Sequence, residues 1–143
     1  MVYLGIDVGE DGGIAMIEGE VVTWWRMPMD HVRTSDQHQK QAVDGQALRE
    51  IFRAINRCRG NLKVVVEDNW AWGSMKNDRA FAFGHSVGVI TGFLAVADIQ
   101  PALVTPQVWK RRVGLVAGSD KVDSIRLVSQ VALRLGGPAV SRN

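Results

Sequence analysis

The sequence predicts an α/β domain: a mixed sheet of three antiparallel strands followed by parallel strands, flanked by helices. Three observations predict it. The first 25 residues hold three short apolar runs separated by glycine-containing turns. Later runs of strand length, at 62–66 and 101–105, alternate with stretches of helical periodicity. The chain has 143 residues and no repeats or low-complexity tracts, which suits one domain with a real core, spanning 1–143.

Taken in order, Leu4, Ile6 and Val8 alternate with Tyr3, Gly5 and Asp7, so the first strand has one apolar face and carries its acid on the other. Asp is a poor strand former. One reading makes Asp7 the start of the Glu10-Asp11-Gly12-Gly13 turn; the other makes it a carboxylate held on a rigid sheet for a divalent metal, with Gly5 and Gly9 allowing close backbone approach. Residues 14–17 and 21–25 give the second and third strands around Glu18-Gly19-Glu20, with Trp24 and Trp25 straddling the two faces. Residues 28–43 are polar without clear periodicity and read as a mobile loop. His31 and His38 lie there without acidic or cysteine partners at ligand spacing, and read as solvated.

Asp44 is placed to cap a helix whose apolar face is Leu48, Ile51, Phe52 and Ile55, with Arg49, Arg53, Arg57 and Arg59 largely off that face and Gly60-Asn61 ending it. Leu62 to Val66 read as a buried strand ending in Glu67-Asp68. If that strand lies beside the first, Glu67 approaches Asp7. The stretch 70–79 mixes Trp70 and Trp72 with Lys76 and Arg79; it fits a loop that stacks on a base and touches phosphate, or one whose tryptophans cap the core. A long apolar helix covers 79–97, interrupted too often to span a membrane. Its Gly84, Gly88 and Gly92 line one face and predict close packing, against the sheet or a partner subunit, the sheet being the simpler choice. A strand at 101–105 follows, with Leu103-Val104 as its core. Pro106 opens a short helix carrying Trp109, Lys110, Arg111 and Arg112. Residues 121–135 form a last amphipathic helix with Val122, Ile125, Val128 and Ala132 on one face, stopped by Gly136-Gly137-Pro138.

The net charge is only +2, but it is unevenly spread. Acids gather at 7–11 and 67–68, while bases crowd 49–63, 109–112 and 121–142. That asymmetry suits a polyanionic partner beside a metal-binding acid cluster, and a solvated basic face equally. The single cysteine, Cys58, excludes an internal disulfide framework and a cysteine-based zinc site, and fits a reducing cytoplasm. No signal peptide precedes the first strand.

Acids on the first and fourth strands of such a sheet are the layout of a ribonuclease H-like fold, in which carboxylates gather hard divalent ions for phosphodiester chemistry. Leu4-Gly5-Ile6-Asp7-Val8-Gly9, Val64-Val65-Val66-Glu67-Asp68, Gly84 with Gly88, Val104-Thr105-Pro106 with Trp109-Lys110, and Gly118-Ser119-Asp120-Lys121 with Ser124 follow in order over nearly the whole chain. In these motifs the sequence resembles the RuvC-type Holliday-junction resolvases, most of all their small phage members. The resemblance implies a Mg²⁺-dependent endonuclease, with Mn²⁺ as a substitute, that acts as a homodimer on four-way DNA junctions and cuts by paired nicks, in the cytoplasm of a bacterium or phage-infected host. It implies that Asp7 and Glu67 are catalytic metal ligands. It places Lys121 in a basic turn near the scissile strand and Trp109-Lys110 where the family has its own Trp-Lys pair. Trp72, Lys76, Arg79, Lys110, Arg111 and Arg112 complete the expected DNA-binding set.

The chain departs from the family in one respect. The family's last helix carries one or two further acids, and that motif is expected just after Asn143; Asp120 and Asp123 precede its place. The expectation is therefore a chain lacking its C-terminal catalytic helix, or a protein poor in metal. Two other functions compete. One is a catalytically weak junction-binding protein. The other is a phosphotransferase of the actin and sugar-kinase type, whose first phosphate motif also reads Gly-Ile-Asp-x-Gly but whose fold needs two such domains.

Overall fold

Strand β1 (Val2–Asp7) lies at the middle of the main sheet of the computed structural model, which describes residues 1–33, 39–55, 62–68, 77–115 and 121–134. It pairs antiparallel with β2 (Gly13–Glu18), and β2 pairs antiparallel with β3 (Val21–Arg26). On its other side β1 pairs parallel with β6 (Leu62–Glu67), which pairs parallel with the edge strand β7 (Ala102–Val104). The order β3-β2-β1-β6-β7 is the predicted mixed sheet.

The alternation in β1 divides its faces as the sequence requires. Val2, Leu4 and Ile6 are buried, while Tyr3, Gly5 and Asp7 are exposed. Val64 and Val66 of β6 extend the buried face and Val65 the outer one. Trp25 packs against the core while Trp24 is partly exposed, so the two tryptophans do straddle the third strand.

Helix α1 (Gly45–Ile55) starts at the predicted cap: Asp44 Oδ1 accepts from Gln46 N–H at 2.8 Å and from Ala47 N–H at 3.1 Å. Its Leu48, Phe52 and Ile55 are buried, and exposed Arg53 pairs with Glu50 at 2.8 Å. Helix α2 (Asn77–Val96) crosses the same sheet face and buries Ser86, Ile90 and Leu94. Fully burying an aliphatic side chain of this size contributes about 1.5–3 kcal/mol. Phe52 of α1 and Phe93 of α2 stack with centroids 5.8 Å apart, locking the two helices together. Among the described residues no helix is long and apolar enough to cross a membrane.

Three expectations are corrected. Residues 28–43 are not an unstructured loop: β4 (Met29–Arg33) and β5 (Gln39–Val43) pair antiparallel as a separate two-stranded sheet. Four of its five rungs carry at least one polar residue, as with His31 opposite Gln41, so no apolar alternation announces it; the apolar pair Met29 and Val43 anchors its base to the core. The glycines of α2 do not face the sheet. They stand two positions from Ser86, Ile90 and Leu94, on the opposite side of the helix, and a Cβ at Gly84, Gly88 or Gly92 would meet nothing within 4 Å. Leu103 is exposed, because β7 is an edge strand with little packed over it. The two predicted C-terminal helices are present as α3 (Pro106–Arg112) and α4 (Lys121–Arg134), with Val122 and Val128 of α4 exposed.

Candidate active site

Asp7 is the last residue of β1 and Glu67 the last of β6. The parallel register runs through Ile6 opposite Val66, so the next step sets Asp7 beside Glu67. Both point away from the core, since their strand neighbours Ile6 and Val66 point into it. Two six-residue strands, each alternating between core and outer face, therefore deliver two carboxylates to one spot.

The turn after Asp7 fixes its carboxylate. Asp7 Oδ1 accepts from Gly9 N–H at 3.1 Å, so Asp7 both starts the turn and presents its acid at the C-terminal end of β1. Gly12 N–H donates to Gly9 O at 2.9 Å, and Gly12 O accepts from Met27 N–H at 3.0 Å, tying the turn to the end of β3. A Cβ on Gly12 would collide with the backbone oxygen of Asp7, so only glycine allows this close return of the chain. On the other strand, Asp68 N–H donates to Val104 O at 3.0 Å and extends the β6–β7 ladder past Glu67.

Asp7 and Glu67 line a groove of about 450 Å³ on the outer sheet face. Its remaining wall is largely apolar and aromatic, with Trp24 from β3, Trp109 from α3 and Val128 from α4. Thr105 stands at the N-cap of α3 with Pro106 at its first turn, which sets Trp109 and Lys110 beside the end of β7. The Lys110 ammonium lies 5.8 Å from the Trp109 ring centroid, a cation–π contact. Lys110, Arg111 and Arg112 form the basic last turn of that helix.

Two carboxylates side by side are hard oxygen donors, and suit Mg²⁺ or Mn²⁺ completed by water and phosphate. Among the described residues no group of three or more His, Cys, Asp and Glu gathers at one point. Asp123 lies in the first turn of α4, near Arg126 at 3.7 Å. Of the expected DNA-binding residues, the structure sets Lys110, Arg111 and Arg112 on one helical turn. Arg79 and Lys121 fall at the starts of α2 and α4. Trp72 and Lys76, like Trp70 and Cys58, lie outside the described residues. Sequence reasoning missed Trp24 as part of the site wall, because its place in the groove opposite Ala15 follows from strand pairing that the local sequence does not show.

No family model and no curated protein sequence matches the chain. Solved structures match by fold, two of them as follows over the whole length of the chain. The RuvC structure from Thermus thermophilus matches with a TM-score of 0.62 and 17% identity, with 85% of that chain covered. T. thermophilus RuvC in complex with Holliday junction substrate matches with a TM-score of 0.63 and 16% identity, with 83% of that chain covered. The mixed sheet with its flanking helices is thus the ribonuclease H-like fold of RuvC.

Proposed function

We propose that the protein is a metal-dependent endonuclease that binds four-way DNA junctions and resolves them by paired nicks as a homodimer. The observation that carries this reading is the placement of Asp7 beside Glu67, at the mouth of an open groove, on a fold shared with a RuvC bound to Holliday junction substrate. Asp7 and Glu67 hold Mg²⁺ or Mn²⁺. Bound there, the cation supplies an activated water and charge stabilisation at a phosphodiester. The Gly9 N–H keeps the Asp7 carboxylate oriented, and the rigid β1–β6 pair keeps the two acids together. Lys110, Arg111 and Arg112 attract the phosphate backbone. Trp72, Lys76, Arg79 and Lys121 are the further DNA contacts of this reading.

A second reading, a junction binder with weak cleavage, rests on no third His, Cys, Asp or Glu grouping with the two acids to hold a metal among the described residues. Two carboxylates support one weakly held Mg²⁺, whereas two-metal hydrolysis clamps both the attacking and the leaving oxygen. One experiment separates the readings. A gel shift with a four-way junction and an equal-length duplex, at two salt concentrations, is followed by nicking assays across a Mn²⁺ titration. The nuclease reading expects tighter junction binding and Mn²⁺-dependent paired nicks. Junction binding without nicks supports the binder, and equal affinity for both DNAs overturns both.

A further inference from the structure

The outer sheet face arranges its residues in rows across the strands. One row runs Trp24, Ala15, Gly5, Val65, Ala102. The next runs Arg26, Gly13 and Asp7, then Glu67 and Val104. The first row is a trough, with Ala15 and Gly5 as its low floor and Trp24 as its raised end. A Cβ at Gly5 would meet nothing within 4 Å, so the space above the floor is open. Trp109 lines the same groove, and the basic last turn of α3 begins at the next residue, Lys110.

We propose that this trough is a base-binding subsite: an unpaired nucleobase lies on the Gly5–Ala15 floor against Trp24 and Trp109, one row from Asp7 and Glu67. The inference rests on the nucleic-acid reading above and deepens it. The argument is complementarity of two kinds. A flat, weakly polar ring matches an apolar aromatic wall, and its phosphates match Lys110, Arg111 and Arg112. A groove of about 450 Å³ is of the size that holds compact ligands, for which about 300–1,000 Å³ is usual. Unstacking a base is least costly where pairing is already broken. The subsite therefore favours branch points over continuous duplex, and gives the protein a structural reason to select them.

The test uses the full chain and two probes of equal length and charge, oligothymidylate and its abasic counterpart. The expected result is about tenfold tighter binding of the base-bearing strand, within the range of one stacked base, with quenching of tryptophan fluorescence. Gly5→Leu, which fills the open space, and Trp24→Ala are expected to abolish that difference, while Trp24→Phe keeps it. Equal affinity of the wild-type chain for both probes overturns the subsite but leaves nucleic-acid binding standing. Failure to bind either probe, or a four-way junction, overturns both. Discrimination that survives Trp24→Ala and Gly5→Leu places the base elsewhere and also overturns it. So does a change of oligomeric state in sedimentation with discrimination intact, which would make the groove a protein-docking face. Should Gly5→Leu not fold, the wild-type comparison and Trp24→Ala still decide.

Discussion

Asp7 and Glu67 end adjacent parallel strands one step beyond the Ile6–Val66 pair, so two acids far apart in sequence share the C-terminal end of that strand pair. If they hold a cation, Asp7→Asn removes a ligand charge and touches no base. Mn²⁺-dependent nicking of a junction is expected to fall on the order of a hundredfold or more. Junction affinity measured by gel shift without metal is expected to stay unchanged. Nicking at the wild-type rate would show that Asp7 is only a turn residue.

The basic end of α3 gives a prediction about salt. Lys110→Ala and Arg111→Ala each remove one phosphate contact in the proposed complex. Each is expected to weaken junction binding and to reduce the slope of log affinity against log salt by about 1. Fluorescence anisotropy at a series of salt concentrations measures it. An unchanged slope would place this turn outside the DNA interface.

Gly12 offers a test of how the turn supports Asp7. Gly12→Ala forces a Cβ into the backbone of residues 7 and 9, so the turn must shift. The expected outcome is a lower melting temperature together with weaker Mn²⁺ binding by calorimetry. Wild-type values for both would mean that the turn relaxes without moving the acid.

The glycine stripe of α2 predicts the reverse sign. Gly88→Ala adds a methyl where nothing lies within 4 Å, and it removes the helical cost of glycine. Stability is expected to rise by about 1 kcal/mol. That corresponds to roughly 2–4 °C in melting temperature for a domain of this size. Gly88→Leu with sedimentation then tests the proposed dimer. Loss of an oligomer with the fold intact would place a second copy on this stripe, and an unchanged mass would leave it facing solvent.

Much of the architecture was legible because it follows from periodicity. The alternation of Leu4, Ile6 and Val8, the run Leu62 to Val66 and the Asp44 cap each specify their element from local sequence alone. The hairpin of β4 and β5 was not legible, because rungs such as His31–Gln41 carry no apolar signal and the pairing is made by backbone hydrogen bonds. The stripe of Gly84, Gly88 and Gly92 misled for a related reason. Small residues in register announce a smooth helix face, but the direction of that face is set by where Ile90 and Leu94 find the core. Asp7 and Glu67 could be paired from sequence because both end strands that the topology makes neighbours. Trp24 and Trp109 could not, because they meet the groove from β3 and α3, whose relative placement is a tertiary fact.

The β1–β6 pairing also bears on how the molecule assembles. The β1–β2–β3 meander brings Asp7 into place through contacts close in sequence, whereas Glu67 arrives only when the chain closes a long loop over β4, β5 and α1. Such non-local closure is slow and entropically costly. A divalent cation that binds both acids recognises only the closed chain. It therefore acts as a ligand of the native state and shifts the unfolding equilibrium by mass action, so the denaturation midpoint becomes a gauge of site assembly independent of any cleavage.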